Sequence, residues 1–328
     1  MPDCSLGHAL GRPVGLRQDH DTQFVSPDLI RAGVHIGRRY PAEAREISAI
    51  CSRNQSLTSS QPLDKRPGCI PGKLPPQFAA VAWMPDVSPT MIKAGADAWL
   101  YDADVFSDPP NANWLEAAPR VESERAGRGQ IHLLETPVGI GVHRAYRRGG
   151  RIMVMLGDRY LFTGLEQTRP IREFRLLATL STHGLPVPKP LLARVRRNGL
   201  VYRGDLLTGA IPDTETLTDR LRRDASSVPW SAVMAAIAAV HHANVWHADL
   251  NAHNILIDKQ DKAWVIDFDR ATVRAPKLIW REENLQRLWQ SLHKIQGKRW
   301  MQQFEPAWQQ ILDDYAHAFA ALKRARWS

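Results

Sequence analysis

The sequence predicts an α+β protein with two unlike lobes: a small β-rich N-lobe with one key helix, then a larger, mainly helical C-lobe. Two observations predict it. Between residues 98 and 208, short apolar runs alternate with Gly- and Asn-marked turns and are interrupted by one helical period. From residue 209 onward the spacing becomes helical, around the apolar run "AVMAAIAAV" (Ala232–Val240). Strands first and helices after point to α+β rather than alternating α/β. The expected division is therefore an N-lobe over 98–208 and a C-lobe over 209–328.

The elements follow in order. Residues 1–97 are rich in Pro, Ser, Gly and Arg with little periodicity, and are expected to be a disordered extension or the product of a mis-assigned start, given Met84 and Met91. "GRGQIHLLETPVGIGVHRAYRRGG" (Gly127–Gly150) reads as a hairpin with strands near 130–135 and 140–146. "TRPIREFRLLATLSTHG" (Thr168–Gly184) is a helix with Pro170 near its start and Gly184 past its end. "LLARVRRNGLVYRGDLLT" (Leu191–Thr208) gives a second hairpin with Asn198-Gly199 at its turn. Helices are expected over Thr214–Arg223, over Trp230–Asn244, and from residue 280 to the end.

Composition narrows the partners. Of 328 residues 44% are hydrophobic, enough for a sizeable core, and the formal net charge of +9 favours anionic partners. Cys4, Cys51 and Cys69 are odd in number and all lie in the first fifth of the chain, which argues against a disulfide framework. No signal-peptide pattern opens the sequence, and the longest apolar run is far too short to span a bilayer. No RNA-binding aromatic motif or zinc-ligand spacing supports nucleic acid, and no obligate protein partner is evident.

The chemistry concentrates in "WHADLNAHNILID" (Trp246–Asp258). Asp249 is followed five residues later by Asn254, and Asp267 stands 13 residues further on in "VIDFDR" (Val265–Arg270). If Ile255–Ile257 and Ala263–Ile266 pair antiparallel with Ile257 opposite Ala263, Asn254 falls opposite Ile266 and beside Asp267. An amide oxygen and a carboxylate at one end of a hairpin suit Mg²⁺, with Asp249 nearby on the loop leading in. That is the equipment of phosphoryl transfer: one Asp to orient the acceptor hydroxyl and take its proton, an Asn and a second Asp for the metal. The other reading is a polar loop of Asx turns that satisfies only backbone groups. His247 is expected to brace the loop and His253 to be structural. Asp269 reads equally as a further metal or substrate ligand or as a cap.

Phosphoryl transfer also needs a cation on the phosphates, tied to an acid on a helix. On the Pro170 helix, Ile171, Phe174, Leu176, Leu177 and Leu180 form the apolar side, and Glu173 falls among them while Arg172 and Arg175 face away. A buried carboxylate requires a cationic partner, and Arg144 on the preceding strand is the expected one. Gly127 and Gly129 could form the phosphate-covering loop, or merely a turn.

These stretches together resemble the lipopolysaccharide-core sugar kinases, a protein-kinase-like family whose reaction is on 3-deoxy-D-manno-octulosonic acid (Kdo). The resemblance is carried by "GRGQ" (Gly127–Gln130), "RAYRRGGR" (Arg144–Arg151), "DRYLFTGLEQTRPIREFRLLATL" (Asp158–Leu180), "GLPVPKPLLARV" (Gly184–Val195), "HADLNAHNILID" (His247–Asp258), "DFDR" (Asp267–Arg270) and "NLQRLWQSL" (Asn284–Leu292). It implies Asp249 as catalytic base, Asn254 and Asp267 as Mg²⁺ ligands, Glu173 as the helix acid, and Arg at position 144 in place of the usual Lys. It also implies ATP-dependent phosphorylation of a Kdo hydroxyl on Kdo–lipid IVA, at the cytoplasmic face of the bacterial inner membrane as a peripheral protein. Where the family has His after that Arg, this chain has Ala145. Arg147, Arg148 and Arg151 fit an anionic acceptor, or form a solvated turn. The Trp- and base-rich segment after Trp280 fits either a membrane headgroup surface or ordinary core aromatics. A heptose or aminoglycoside kinase of the same fold and a catalytically dead, nucleic-acid-binding scaffold are the competing readings; intact Asp249, Asn254 and Asp267 argue against the second.

Overall fold

A computed structural model of the chain describes residues 86–108, 110, 113–121, 131–146 and 158–325, with the backbone alone at 298, 299, 301–303 and 325. Its first part is an antiparallel sheet of eight strands: β1 (Pro89–Ala94), β2 (Asp97–Asp102), β3 (Arg120–Val121), β4 (Ile131–Thr136), β5 (Gly139–Ala145), β6 (Tyr160–Leu161), β7 (Pro190–Asn198) and β8 (Val201–Gly209). The order across the sheet is β1-β2-β7-β8-β5-β4-β3, with β6 also beside β8. A one-turn helix, α1 (Trp114–Ala117), lies between β2 and β3.

The sheet starts ahead of the boundary expected at residue 97. β1 pairs with β2 along its whole length, from Pro89 opposite Asp102 to Ala94 opposite Asp97. The strand hid in the sequence because it is a half-exposed edge with a proline at its first residue, a position where the missing N–H costs nothing. Behind it Trp99 and Tyr101 join Leu134, Leu191, Leu192 and Leu207 in one apolar cluster.

The helix expected over Thr168–Gly184 is α2 (Arg169–Thr182), and its Ile171, Phe174, Leu177 and Leu180 are fully buried. It lies tightly on the sheet: a Cβ at Gly204 of β8 would come within 2.6 Å of the Pro170 ring. Burying four such side chains stabilises the contact by roughly 1.5–3 kcal/mol each. The second hairpin turns through Gly199 and Leu200, one residue later than expected, because Asn198 itself pairs with Val201. Gly199 supplies the positive φ of 61° that this tight turn needs.

The second part holds β9 (Glu215–Thr216), α3 (Leu217–Arg223), α4 (Trp230–His242), β10 (Val245–Trp246), β11 (Ile255–Ile257), β12 (Ala263–Val265), β13 (Thr272–Val273), α5 (Leu278–Gln296) and α6 (Lys298–Ala325). Thr216 caps α3 by accepting the Asp219 N–H at 3.0 Å. The Ala-rich α4 buries Val233, Met234, Ile237 and Val240, and packs against α6 and β12. The described tryptophans from residue 280 onward pack against other aromatic rings. Trp280 and Trp308 are buried, and Trp289 and Trp300 flank Phe304 at ring separations of 6.3 and 4.3 Å. No helix among the described residues is long and apolar enough to cross a membrane.

Candidate active site

The hairpin at the centre of the site has the register expected from its spacing. Ile257 stands opposite Ala263 and Ile255 opposite Val265. The next rung is a hydrogen bond from the Ile266 N–H to the Asn254 carbonyl at 3.0 Å, so Asn254 and Asp267 emerge at the same end. The strand stops at Val265 because Asp267 turns into the left-handed region, with φ of 65°. That conformation is costly for most residues and tolerated by Asp.

The loop before the hairpin is held at both sides. His247 is buried, and its Nδ1 accepts the Asp249 N–H at 3.3 Å, which leaves Nε2 to donate to the Ile266 carbonyl at 2.9 Å. Burial lowers the His247 pKa, so the ring stays neutral and braces the two segments against each other. Asn284 of α5 clasps His247 through its backbone, accepting the N–H at 3.0 Å and donating to the carbonyl at 2.9 Å. His241 backs Asn284, and burial pushes its pKa down to about 3. Asn254 and Asn251 both donate side-chain N–H groups to the Asp249 carbonyl, at 2.9 and 3.1 Å. Asp249 ends on a fixed backbone with its carboxylate exposed. His253 is exposed and outside this bracing.

A second cluster sits beneath. Arg144 on β5 binds Glu173 of α2 through one terminal nitrogen at 2.7 Å and reaches Asp267 with the other. The expected Arg144–Glu173 ion pair is thus present. Glu173 is 3% exposed and also accepts hydrogen bonds from the Tyr146 hydroxyl and, at 3.1 Å, from the Phe268 N–H. Burial raises the Glu173 pKa to about 7, against the pull of Arg144 and Tyr146 and with a push from Asp267 and Asp269. Burial and the neighbouring Glu173 drive the Tyr146 pKa well up, which keeps that phenol a donor. Asp269 pairs with Arg169 at 2.6 Å, and its Oδ1 is buried without a hydrogen-bond partner. It is therefore an ion-pair member and not a helix cap.

Four parts of this arrangement escaped sequence reasoning: Tyr146, Asn284, His241 and Arg169. Tyr146 did carry a signal, since it lies two residues from Arg144 along the strand direction and a buried Tyr needs an acceptor for its hydroxyl. Asn284 lies 37 residues from the loop it clasps, and no local pattern reports that. Gly127, Gly129, Arg147, Arg148 and Arg151 lie outside the described residues, as do residues 1–85.

The donor set fits a hard cation. Asn254 spends its N–H on the Asp249 carbonyl, which turns Oδ1 outward, and Asp267 commits only one oxygen to Arg144. No three His, Cys, Asp or Glu side chains gather into a metal-binding group among the described residues. Such a cation would rest on two protein side chains and take its remaining oxygens from phosphates and water, the habit of Mg²⁺.

An Arg paired with a buried Glu, an exposed Asp on a braced loop and an Asn/Asp pair at a hairpin end are the parts a kinase-type site would use. The model of the lipopolysaccharide kinase (Kdo/WaaP) family matches residues 112–315, so this chain belongs to that family and is a phosphotransferase. It is 42% identical over 198 residues to a protein of Stenotrophomonas maltophilia strain R551-3 named 3-deoxy-D-manno-octulosonic acid kinase, covering 60% of this chain and 78% of that one. Proteins of the same name are similar in Xanthomonas oryzae pv. oryzae strain PXO99A, at 42% over 198 residues (60% and 78% covered), and in Xylella fastidiosa strain M23, at 41% over 186 residues (57% and 74% covered).

Proposed function

We propose that this chain transfers the γ-phosphoryl group of ATP to a hydroxyl of Kdo carried on Kdo–lipid IVA, in the assembly of the lipopolysaccharide inner core. The observation that carries the proposal is the convergence of Arg144, Glu173 and Asp267 beside the loop that presents Asp249. The names of the relatives support Kdo as the sugar that is phosphorylated.

In this reading the sheet with α2 is the N-lobe and the helical part is the C-lobe of a two-lobed, protein-kinase-like layout. Its boundary stays near residue 208, and the N-lobe includes β1. Asp249 orients the acceptor hydroxyl and takes its proton as the new O–P bond forms and the bond to the bridging oxygen of ATP breaks. Arg144, held by Glu173 and Tyr146, presents its guanidinium to the phosphates; a planar fork does this as well as Lys. Gly127 and Gly129 would cover the phosphates. Asn254 Oδ1 and Asp267 would hold Mg²⁺, which when bound neutralises phosphate charge. Arg147, Arg148, Arg151 and Asp269 are assigned to the acceptor side. The enzyme would work as a peripheral protein at the cytoplasmic face of the inner membrane, where a glycolipid acceptor resides.

Incubation with labelled ATP, Mg²⁺ and Kdo–lipid IVA, with a heptose-bearing core as competitor, tests the proposal. Label should appear on the Kdo-bearing glycolipid and be abolished by EDTA. Label on heptose alone would reassign the acceptor, and no label on either would sink the reading.

A further inference from the structure

We propose that the segment Arg270–Arg281, which begins three residues after Asp267, is a docking surface for an anionic lipid bilayer. The inference deepens the reading above, since it rests on the acceptor being membrane-borne.

The segment "RATVRAPKLIWR" carries four bases and no acid. Its exposed face is apolar as well as basic. Val273 is 55%, Leu278 45% and Ile279 66% exposed, and Arg270 and Lys277 stand exposed beside them. Single exposed apolar residues need no explanation, but three on one short segment set among cations do. The flanking acids are Asp269 just before the segment, which is paired with Arg169, and Glu282 and Glu283 just after it.

The start of α5 breaks the rules for a helix N-terminus in one consistent direction. Lys277 occupies the N-cap with no side-chain cap hydrogen bond, and no acid stands in the first turn. Helices favour Ser, Thr, Asp or Asn at that position and carboxylates just inside, because the N-terminal end is already positive. Here a cation is added to that end and Leu278 and Ile279 are set on the solvent side. Positive charge around exposed aliphatic side chains is what an anionic lipid surface complements: headgroups meet the bases and the aliphatic tips enter the interface. An acidic protein groove would meet the charges but leave Leu278 and Ile279 without a matched partner.

Position favours the same partner. β13 pairs with β10, Trp246 opposite Thr272, and Trp246 immediately precedes His247. Arg274 lies over the Trp246 ring at 3.6 Å and donates its N–H to the Asn244 carbonyl at 2.8 Å. The surface is therefore tied to the loop carrying Asp249. The tip of the β7–β8 hairpin also exposes an apolar residue beside arginines, Leu200 at 78% with Arg197 and Arg203. That tip is six residues along β8 from the partner of Arg144, roughly 20 Å at ~3.3 Å per residue, and so is the natural control.

Sedimentation of the full chain with phosphatidylcholine vesicles, with and without one quarter phosphatidylglycerol, tests the surface. Binding is expected to the anionic vesicles only and to fall steeply with added salt. Leu278→Glu/Ile279→Glu should weaken it at least tenfold. Carboxylates in the first turn suit a helix N-terminus, so the variant should keep its melting temperature. Leu200→Glu should bind as the unaltered chain does. On vesicle-borne Kdo–lipid IVA the double variant should raise KM at least tenfold, and on a deacylated, soluble Kdo acceptor its kcat should be unchanged. Unchanged vesicle binding by the double variant, loss of binding in Leu200→Glu instead, equal binding to neutral vesicles, or dissociation of a dimer by the double variant without change in vesicle binding would each overturn the surface. Vesicle binding without turnover on either acceptor would overturn the kinase reading and leave the surface standing.

Discussion

Arg194 on β7 and Arg144 on β5 are ion-paired arginines of the same sheet, yet they join different things. Arg194 binds Asp205 of the neighbouring strand at 3.0 Å and Glu116 of α1 at 2.7 Å, and lies over the Trp99 ring. These partners belong to the sheet or to α1. Arg144 instead joins β5 to α2 through Glu173 and to the loop after β12 through Asp267. The acids differ in the same way. Burial pushes Asp205 up, but the hydrogen bond from His143 and the charge of Arg194 outweigh it, so its pKa falls below the ordinary value. Around Glu173 burial wins, and its pKa rises to about 7. A pair that only holds structure is saturated with positive charge. The pair at the site is short of it, because Arg144 is shared with a second acid. Adjacent residues feed the two networks: His143 and Arg144 point to opposite faces of β5.

The largest effect belongs to neither network. Asp249→Ala should lower kcat by about 10³-fold while calorimetry shows little change in melting, because the side chain is exposed and its bracing is through the backbone. The two arginines can then be set against each other. Arg144→Ala leaves the buried Glu173 without its cation and should cost about 3–5 kcal/mol in denaturant unfolding, whereas Arg194→Ala leaves Asp205 with His143 and Arg196 and should cost less. Only Arg144→Ala should also lower kcat in the fraction that stays folded; equal losses of kcat would erase the distinction. Tyr146→Phe removes one charged hydrogen bond and should cost about 2 kcal/mol, with a rise in KM for ATP as Arg144 loosens.

The smallest effect is in pH. Glu173 is an acid whose pKa is higher folded than unfolded, so the folded state holds the extra proton between about pH 4.5 and about 7. Its contribution to stability therefore declines as pH rises through that window. His241 acts with the opposite sign between about 3 and 6.5, since it stays neutral when folded. Melting temperature followed from pH 4.5 to 7.5 in Glu173→Gln and in the unaltered chain separates the two. The difference between them should shift in favour of the Gln variant as pH rises, and a constant offset would show that Glu173 does not titrate there.

Much of this was legible from short spacings. The helical wheel put Glu173 among Phe174, Leu177 and Leu180, and burial then demanded a cation, which is why Arg144 could be paired with it. The hairpin arithmetic put Asn254 beside Asp267 because a strand register, once set by a turn, is rigid. What stayed hidden depended on distant sequence or on exposure. Asn284 grips His247 from another element, Arg169 meets Asp269 a hundred residues on, and the edge strand β1 has too little buried surface to mark itself. The tryptophans after residue 280 stayed open between two readings for a related reason: composition reports that aromatics and bases coexist, and only packing tells how far each ring is buried.

The positive φ of Asp267 has a consequence for how this site can be lost. The backbone there would suit glycine better than the residue it carries. Asp267→Gly relieves that conformation while giving up a partly exposed ion pair, so the two effects nearly cancel, to within about 1 kcal/mol. Every aspartate codon becomes a glycine codon by one base change. If Asp267 holds the metal as proposed, inactivation at this position is a single step expected to leave melting almost untouched. A population of such chains could fall silent without any assay of folding registering it.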